Sequence, residues 1–175
     1  MLTAWRDEDV NDLFVLFSDP RVTRFYDIPT MQEPEQAARL LAGLQQRFSA
    51  GTGIRWAMRD RDTGEFMGSC GFNCWDTQSR TAVLGYDLMP EFWGQGYASE
   101  AVSRIVEFAF GGGLSCGPLM QIEAKTVRGN RASERLLERL NFRLFDDMAT
   151  GAIEQPDLKH YRLLQPQRFG ELVLN

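Results

Sequence analysis

Histidine and cysteine are scarce in this chain, and their scarcity removes whole classes of chemistry. The 175 residues contain one histidine, His160, and three cysteines, Cys70, Cys74 and Cys116. A single histidine leaves a Ser/His/Asp triad only one possible base, and no Gly-x-Ser-x-Gly elbow accompanies it. The cysteines are odd in number and form no dense set, unlike a secreted disulfide framework. Cys70 and Cys74 have no histidine following at ligand spacing, so no zinc site, or other metal, is expected. Cys70 lies in an apolar run and is expected to pack as a small hydrophobe. Basic charge is also short: 19 Lys and Arg stand against 24 Asp and Glu, a net charge of −5. That sign disfavours phosphate backbones, so no nucleic-acid partner is expected, whereas a cationic acceptor such as an amine would suit it. No apolar run reaches membrane-spanning length, and Met1 to Asp7 lacks signal-peptide character, so the expected location is cytoplasmic with no membrane partner.

What is present is ordinary globular material with one unusual segment. An apolar fraction of 43% and a charged fraction of 25% suit one domain over residues 1–175 with its own core. Asp87-Leu88-Met89-Pro90-Glu91-Phe92-Trp93-Gly94-Gln95-Gly96-Tyr97-Ala98-Ser99-Glu100 runs from a strand, through a turn with two glycines, into an amphipathic helix. The first N–H groups of a helix have no partner within it, and the helix dipole places partial positive charge there. The segment is therefore built to hold an anion, a phosphate above all. A Walker loop is excluded, because Gly96-Tyr97-Ala98 is not Gly-Lys-Ser/Thr.

Periodicity orders the rest. Asp7 to Phe17 reads as a helix ended by Pro20, and Arg21 to Pro34 as irregular and aromatic, with Phe25 and Tyr26. A second helix runs from about Pro34 to Phe48, with Ala37, Leu40, Leu41, Leu44 and Phe48 on one face. Arg55 to Arg59 and Glu65 to Phe72 flank the turn Arg61-Asp62-Thr63-Gly64 as a hairpin, and Thr81 to Met89 is a third strand. A helix from Ala98 to about Phe110 buries Ala101, Val102, Ile105, Val106 and Ala109, and Gly111-Gly112-Gly113 stops it. Met120 to Val127 is a strand, and Asn130 is placed to cap a helix that ends at a left-handed Asn141. Phe142 to Phe145 and Lys159 to Leu164 close the chain as an antiparallel pair. The fold class is mixed α+β rather than a regular βαβ alternation.

Several pieces, in this order and at these spacings, resemble one family. They are Leu84-Gly85-Tyr86-Asp87-Leu88 with Pro90, Trp93-Gly94-Gln95-Gly96-Tyr97-Ala98 and Glu100-Ala101. They continue with Ile122-x-Ala124-x-Thr126, Asn130-Arg131-Ala132-Ser133 and Leu140-Asn141-Phe142. Asp19-Pro20 with Val22, and Gly68-Ser69-Cys70-Gly71, match as well. The chain resembles the GNAT acyl-CoA-dependent N-acyltransferases, within them the Rim-type branch that acetylates N-termini of ribosomal proteins. The resemblance covers nearly the whole chain. It implies a mostly antiparallel twisted sheet, flanked by helices and split between the fourth and fifth strands. Acetyl-CoA is the implied cosubstrate and a primary amine, a protein N-terminus or a small amine, the implied acceptor.

The same resemblance assigns residues. The loop Trp93, Gly94, Gln95, Gly96, Tyr97 and Ala98 holds the coenzyme A pyrophosphate by main chain, with Trp93 where the family has Gln or Arg. Tyr86, Asp87, Leu88 and Met89 pair with the pantetheine as an added strand would, and a backbone N–H near Leu88 faces the acyl oxygen. Asn130 matches a pantetheine-binding Asn, and Ser133, one turn on, matches a serine beside the sulfur. Phe25 and Tyr26 lie in a loop that flanks the acceptor cleft. Acceptor specificity belongs to loops such as Val22 to Thr30 and Asp146 to Lys159. Two departures stand out: the family's general-acid tyrosine falls near Leu137, and a relative's glutamate base aligns with Lys125. Glu123, on the same strand face as Lys125, is the catalytic carboxylate carried forward, with Asp87, Glu100 and a water chain as alternatives. A coenzyme-A-binding sensor without turnover is the competing function, and monomer and homodimer are both open.

Overall fold

The computed structural model describes residues 1–26, 28–145 and 158–166. Its elements, in chain order, begin with β1 (Leu2–Thr3), α1 (Asp9–Ser18), α2 (Pro20–Thr23), α3 (Pro34–Ser49) and β2 (Ile54–Arg59). They continue with β3 (Phe66–Asp76), β4 (Thr81–Leu88), a 3-10 turn (Pro90–Phe92) and α4 (Tyr97–Phe110). β5 (Gln121–Val127), α5 (Arg131–Arg139), β6 (Arg143–Leu144) and β7 (Leu158–Leu164) complete them. Among the described residues no helix is long and apolar enough to cross a membrane.

Local chemistry sets the helix ends. Pro34 sits at the first helical position of α3, with a capping box between Glu33 and Gln36. Asn130 caps α5 through its side chain, which accepts from the Ser133 N–H at 3.2 Å, and Asn141 is left-handed at φ 64°. Two expectations need correction. Pro20 ends α1 but also opens α2, because Asp19 accepts from the Arg21 N–H at 2.8 Å and proline is preorganised for a first turn. Phe48 is 62% exposed rather than on the apolar face: it lies in the last turn of α3, beyond Leu44, the final residue of the helix that is buried.

Among the described residues the sheet has seven strands in the order β1-β2-β3-β4-β5-β7-β6. Every neighbouring pair is antiparallel except β4 and β5, which are parallel and joined through α4. Because side chains alternate across a strand, the sheet sorts two cores. Cys70, Phe72, Leu84, Ile122, Ala124 and Tyr161 pack with Val102 and Ile105 of α4 and Leu136 and Leu137 of α5. On the other face Ala57, Phe66 and Met89 pack with Leu13, Leu16, Phe17, Ala37 and Leu41 of α1 and α3.

Parallel pairing between β4 and β5 runs only from Thr81↔Gln121 to Leu84↔Ala124. Beyond it, Gly85 to Leu88 stay paired with β3, while Lys125 to Val127 stay paired with β7. The two strands therefore part and leave a gap in the sheet.

The helical layer of the second face is fixed to the sheet by charge as well as by burial. Asp9 of α1 pairs with Arg59 of β2, the two side chains 1% and 6% exposed. Arg59 also donates to Thr3 of β1 and lies over the Phe66 ring. A buried pair is worth little against apolar replacement, but removing one partner strands the other charge. Asp9→Ala is expected to cost about 3–5 kcal/mol of unfolding free energy, read as a lower urea midpoint. A loss within the few tenths typical of surface changes would remove the pair from the fold's support.

Candidate active site

The glycine loop closes one end of the gap. After β4, the 3-10 turn is followed by Trp93, whose N–H bonds Pro90 O at 3.2 Å. Gly94 and Gly96 then take φ of 75° and 91°, a region open to glycine at little cost, and nothing lies within 4 Å of where a Cβ would stand on either. Gly96 is the N-cap of α4 and no side chain caps that start. The first N–H groups of a 14-residue helix are thus left facing open space, with the dipole behind them. Gln95 turns its side chain back to Glu91 O at 2.8 Å, so it offers the loop its main chain. Tyr97 is anchored edge-on to Phe92, with centroids 6.2 Å apart.

Trp93, the departure from the family pattern, has a structural use. Its indole N–H donates to Leu88 O at 2.7 Å, tying the loop to the end of β4 while the ring remains 46% exposed. Direction alternates along a strand, so this bond identifies the side on which Leu88 presents its backbone. The Met89 N–H is bonded to Met67 O on β3 at 2.8 Å, so the Leu88 and Tyr86 peptide groups face the other way, into the gap. Tyr86 O there accepts from Tyr26 Oη at 3.3 Å. Both gap-facing carbonyls therefore have side-chain donors from the protein, and the N–H groups beside them are what a ligand would meet.

The two faces of the gap carry different chemistry. On the α4 and α5 face, Tyr86 Oη and Ser133 Oγ are 2.6 Å apart. Burial pushes the Tyr86 phenol up to about 12, with the Ser133 contact working against that rise. Leu137, where the family tyrosine would fall, is fully buried in this core. On the opposite face the Asp87 carboxylate is surrounded by donors. Oδ1 accepts from the Ser69 N–H at 2.9 Å, and Oδ2 accepts from Ser69 Oγ at 3.0 Å, Tyr26 Oη at 3.0 Å and Arg55 at 2.5 Å. Burial works most strongly against the Arg55 charge, but the Asp87 carboxylate, with Tyr26 and Cys70 adding to it, holds the guanidinium above its ordinary value. Burial first, then the Asp87 charge, likewise raises the Tyr26 phenol. With four donors on its two oxygens, Asp87 is a strong anchor for the loop that carries Tyr26.

Glu123 lies on this same face, one pair before the gap opens, opposite Val83. It accepts from Gln121 Nε2 at 2.7 Å and has Arg162 at 3.7 Å. Glu123 and Ser133 are thus on opposite sides of the sheet. Phe25 is half-buried beside Arg24 at 5.2 Å, and Tyr26 packs edge-on against Phe17 at 5.4 Å. Glu100 is exposed in the first turn of α4. Of the loops expected to choose the acceptor, Asp27 and residues 146–157 lie outside the described residues. Sequence reasoning missed Arg55, Ser69 and the joining of Tyr86 to Ser133. The one available signal was Arg55 itself, a charge set among apolar neighbours in Ile54-Arg55-Trp56-Ala57-Met58.

Residues 1–143 match the family model of the acetyltransferase (GNAT) domain. The uncharacterized N-acetyltransferase YoaA of Bacillus subtilis is 36% identical over 136 residues, covering 78% of this chain and 75% of that protein. A solved structure of RimL, a ribosomal L7/L12 alpha-N-protein acetyltransferase in complex with coenzyme A, superposes with a TM-score of 0.77. It is 20% identical and the match covers 93% of this chain and 92% of that one. The spermidine N-acetyltransferase of Vibrio cholerae, solved with CoA and spermine, gives 0.77 at 16% identity, over 94% and 95% of the two chains. The chain belongs to the GNAT acetyltransferase family.

The buried phenol gives a pH test. Tyr86 has an ordinary value of 10.0 and about 12 in the fold, so the folded state holds its proton more tightly. Its contribution is fully present below the unfolded value and is lost as pH rises through the folded one. Between these limits the wild type should lose urea stability more steeply than Tyr86→Phe. Equal slopes would mean that the phenol is not buried as described.

Proposed function

We propose that the chain transfers an acetyl group from acetyl-CoA to a primary amine, a protein N-terminus or a small amine, by direct attack in a ternary complex. The observation that carries this reading is the uncapped start of α4 behind Gly94 and Gly96, at the mouth of the gap between β4 and β5. The pyrophosphate would lie on the N–H groups of Gly94 to Ala98. The pantetheine would lie in the gap along Tyr86 to Met89, taking the backbone donors that β5 leaves unused, as an added strand does. Relatives of the same fold, solved with CoA, support the choice of ligand.

Acetyl-CoA supplies an acyl thioester: as the amine nitrogen bonds its carbonyl carbon, the C–S electron pair goes to sulfur and one amine proton is given up. The Leu88 N–H, aimed into the gap, donates to the acyl oxygen where negative charge grows. Asn130 holds the start of α5 and reaches the pantetheine. Ser133 Oγ donates a hydrogen bond to the departing sulfur. Phe25 and Tyr26 flank the acceptor from the α1 and α3 face. Glu123 receives the amine proton, directly or through water. It is chosen over Asp87 because Asp87 already accepts four hydrogen bonds, one of them from the Arg55 guanidinium, whereas Glu123 has a single amide donor and a loose arginine partner.

Acetyl-CoA at a hundredfold excess over its Kd should stabilise the protein by about 2.7 kcal/mol, and ATP should not. Gly96→Val should abolish that stabilisation, since a β-branched residue at φ 91° distorts the loop and its methyls fill the space for phosphate. Unaltered affinity would sink the loop assignment. Thiol release across a panel of amines and N-terminal peptides tests turnover, and binding without release from any of them would favour a sensor. For the base, Glu123→Gln should lower kcat by about 100-fold and flatten the acid limb of the pH profile. An unchanged limb would transfer the proton to water alone.

A further inference from the structure

The contact between Tyr86 and Ser133 joins β4 to the first turn of α5 across the gap, and it brings together two hydroxyls that share one hydrogen bond at 2.6 Å. Neither residue needs this bond to be held in place. Ser133 is fixed by its own peptide N–H, which Asn130 Oδ1 accepts at 3.2 Å, and Tyr86 is fixed by its register opposite Cys70 and by packing on the α4 and α5 core. The contact is therefore available for chemistry. The contact admits either hydroxyl as donor, and the phenol, a far stronger acid than an aliphatic alcohol, is the better donor of the two. That choice leaves the serine's own proton free to point elsewhere. On its backbone side the serine is occupied by the Asn130 cap, and its side chain is half-buried beside Tyr86, the first of the β4 residues beyond Gly85 that β5 leaves unpaired on that face.

We propose that Tyr86 is a positioning residue for acetyl transfer: its O–H donates to Ser133 Oγ, which turns the serine proton toward the departing sulfur and strengthens the hydrogen bond given to it. This rests on the assignment of Ser133 to the sulfur in the reading above. The pair moves no proton of its own. A free thiol titrates near 8.5, about three units or more below either hydroxyl here, so a thiolate cannot take a proton from them. What the pair supplies is a polarised donor for the charge that collects on sulfur as the C–S bond breaks, and water protonates the thiolate on release. Burial keeps Tyr86 in its donor form throughout the range in which the enzyme would be assayed. Ser133 thereby stands in for the tyrosine missing at Leu137, with a phenol behind it on the neighbouring strand.

A double-mutant cycle of Tyr86→Phe and Ser133→Ala tests this, read by thiol release at saturating acetyl-CoA and by acetyl-CoA affinity from thermal shift. Loss of one supporting hydrogen bond at a charged transition state should lower kcat of Tyr86→Phe about tenfold. Affinity for acetyl-CoA should stay within about twofold, the spread of an additive background. In the Ser133→Ala background, Tyr86→Phe should cost nothing further beyond that same spread, because its partner is gone. An equal fall in both backgrounds would mean that Tyr86 acts independently of Ser133, and an unchanged kcat in Tyr86→Phe alone would overturn the proposal outright. A wild type that binds acetyl-CoA and releases thiol, yet gives an additive cycle, sinks the positioning role and leaves acetyl transfer standing. A wild type that releases no thiol with any amine removes both.

Discussion

Parallel pairing between β4 and β5 ends at Leu84 and Ala124, and every part of the candidate site is arranged around the gap that follows. The strands part because each has a better partner on its outer side. Leu88 is in register with Gly68, Met89 is bonded to Met67, and Lys125 to Val127 remain in register with β7. The inner edges are then left with backbone groups that a sheet would ordinarily satisfy, and such groups are costly to leave buried and unpaired. The protein meets half of that demand itself. Trp93 and Tyr26 supply donors to the carbonyls of Leu88 and Tyr86. What remains toward the gap is a set of N–H donors, continuous in character with the uncapped start of α4. A ligand bearing phosphates at one end and amide and acyl oxygens along its length matches that sequence of donors.

The gap also links two chemically different faces of one sheet. Tyr86 and Ser133 meet on the side packed by α4 and α5, while Asp87, Arg55, Ser69 and Tyr26 meet on the side packed by α1 and α3. Consecutive residues, Tyr86 and Asp87, serve opposite faces because strand side chains alternate. The division suits a reaction whose leaving group and attacking amine approach one carbonyl carbon from different directions. The Asp87 cluster is expensive to bury, and full occupation of both carboxylate oxygens is what offsets the expense. Its consequence is mechanical. It fixes Tyr26, and with it the loop after α2, against the edge of the gap from a strand 61 residues away.

Much of this was legible in the chain. The two glycines before an amphipathic helix announced a left-handed turn and an uncapped helix start, and Asn130 three residues before Ser133 announced a cap that brings the serine to the start of α5. Order, spacing and helical period are local, so they survive in one dimension. What stayed hidden was whatever depended on a partner far along the chain. Arg55 was only the first residue of an expected strand until β2, β3 and β4 were set side by side and gave it Asp87 as a partner. Trp93 looked like an unexplained substitution because its partner is a backbone carbonyl, which has no letter in a sequence. Pro20 was read as a stop when its role as the first residue of α2 depended on the Asp19 side chain folding over it.

The sequence by itself determined the mixed α+β class, the order of the central elements, the glycine turn that opens α4 and the family to which the chain belongs. These follow from periodicity, from residues with restricted backbone angles and from motifs whose spacing is physical. Only the tertiary structure decided which hydroxyl meets Ser133, which carboxylate is saturated, and on which side of the sheet each residue stands. Those outcomes depend on register across strands and on the direction of hydrogen bonds, and a shift of one residue in either would reverse them.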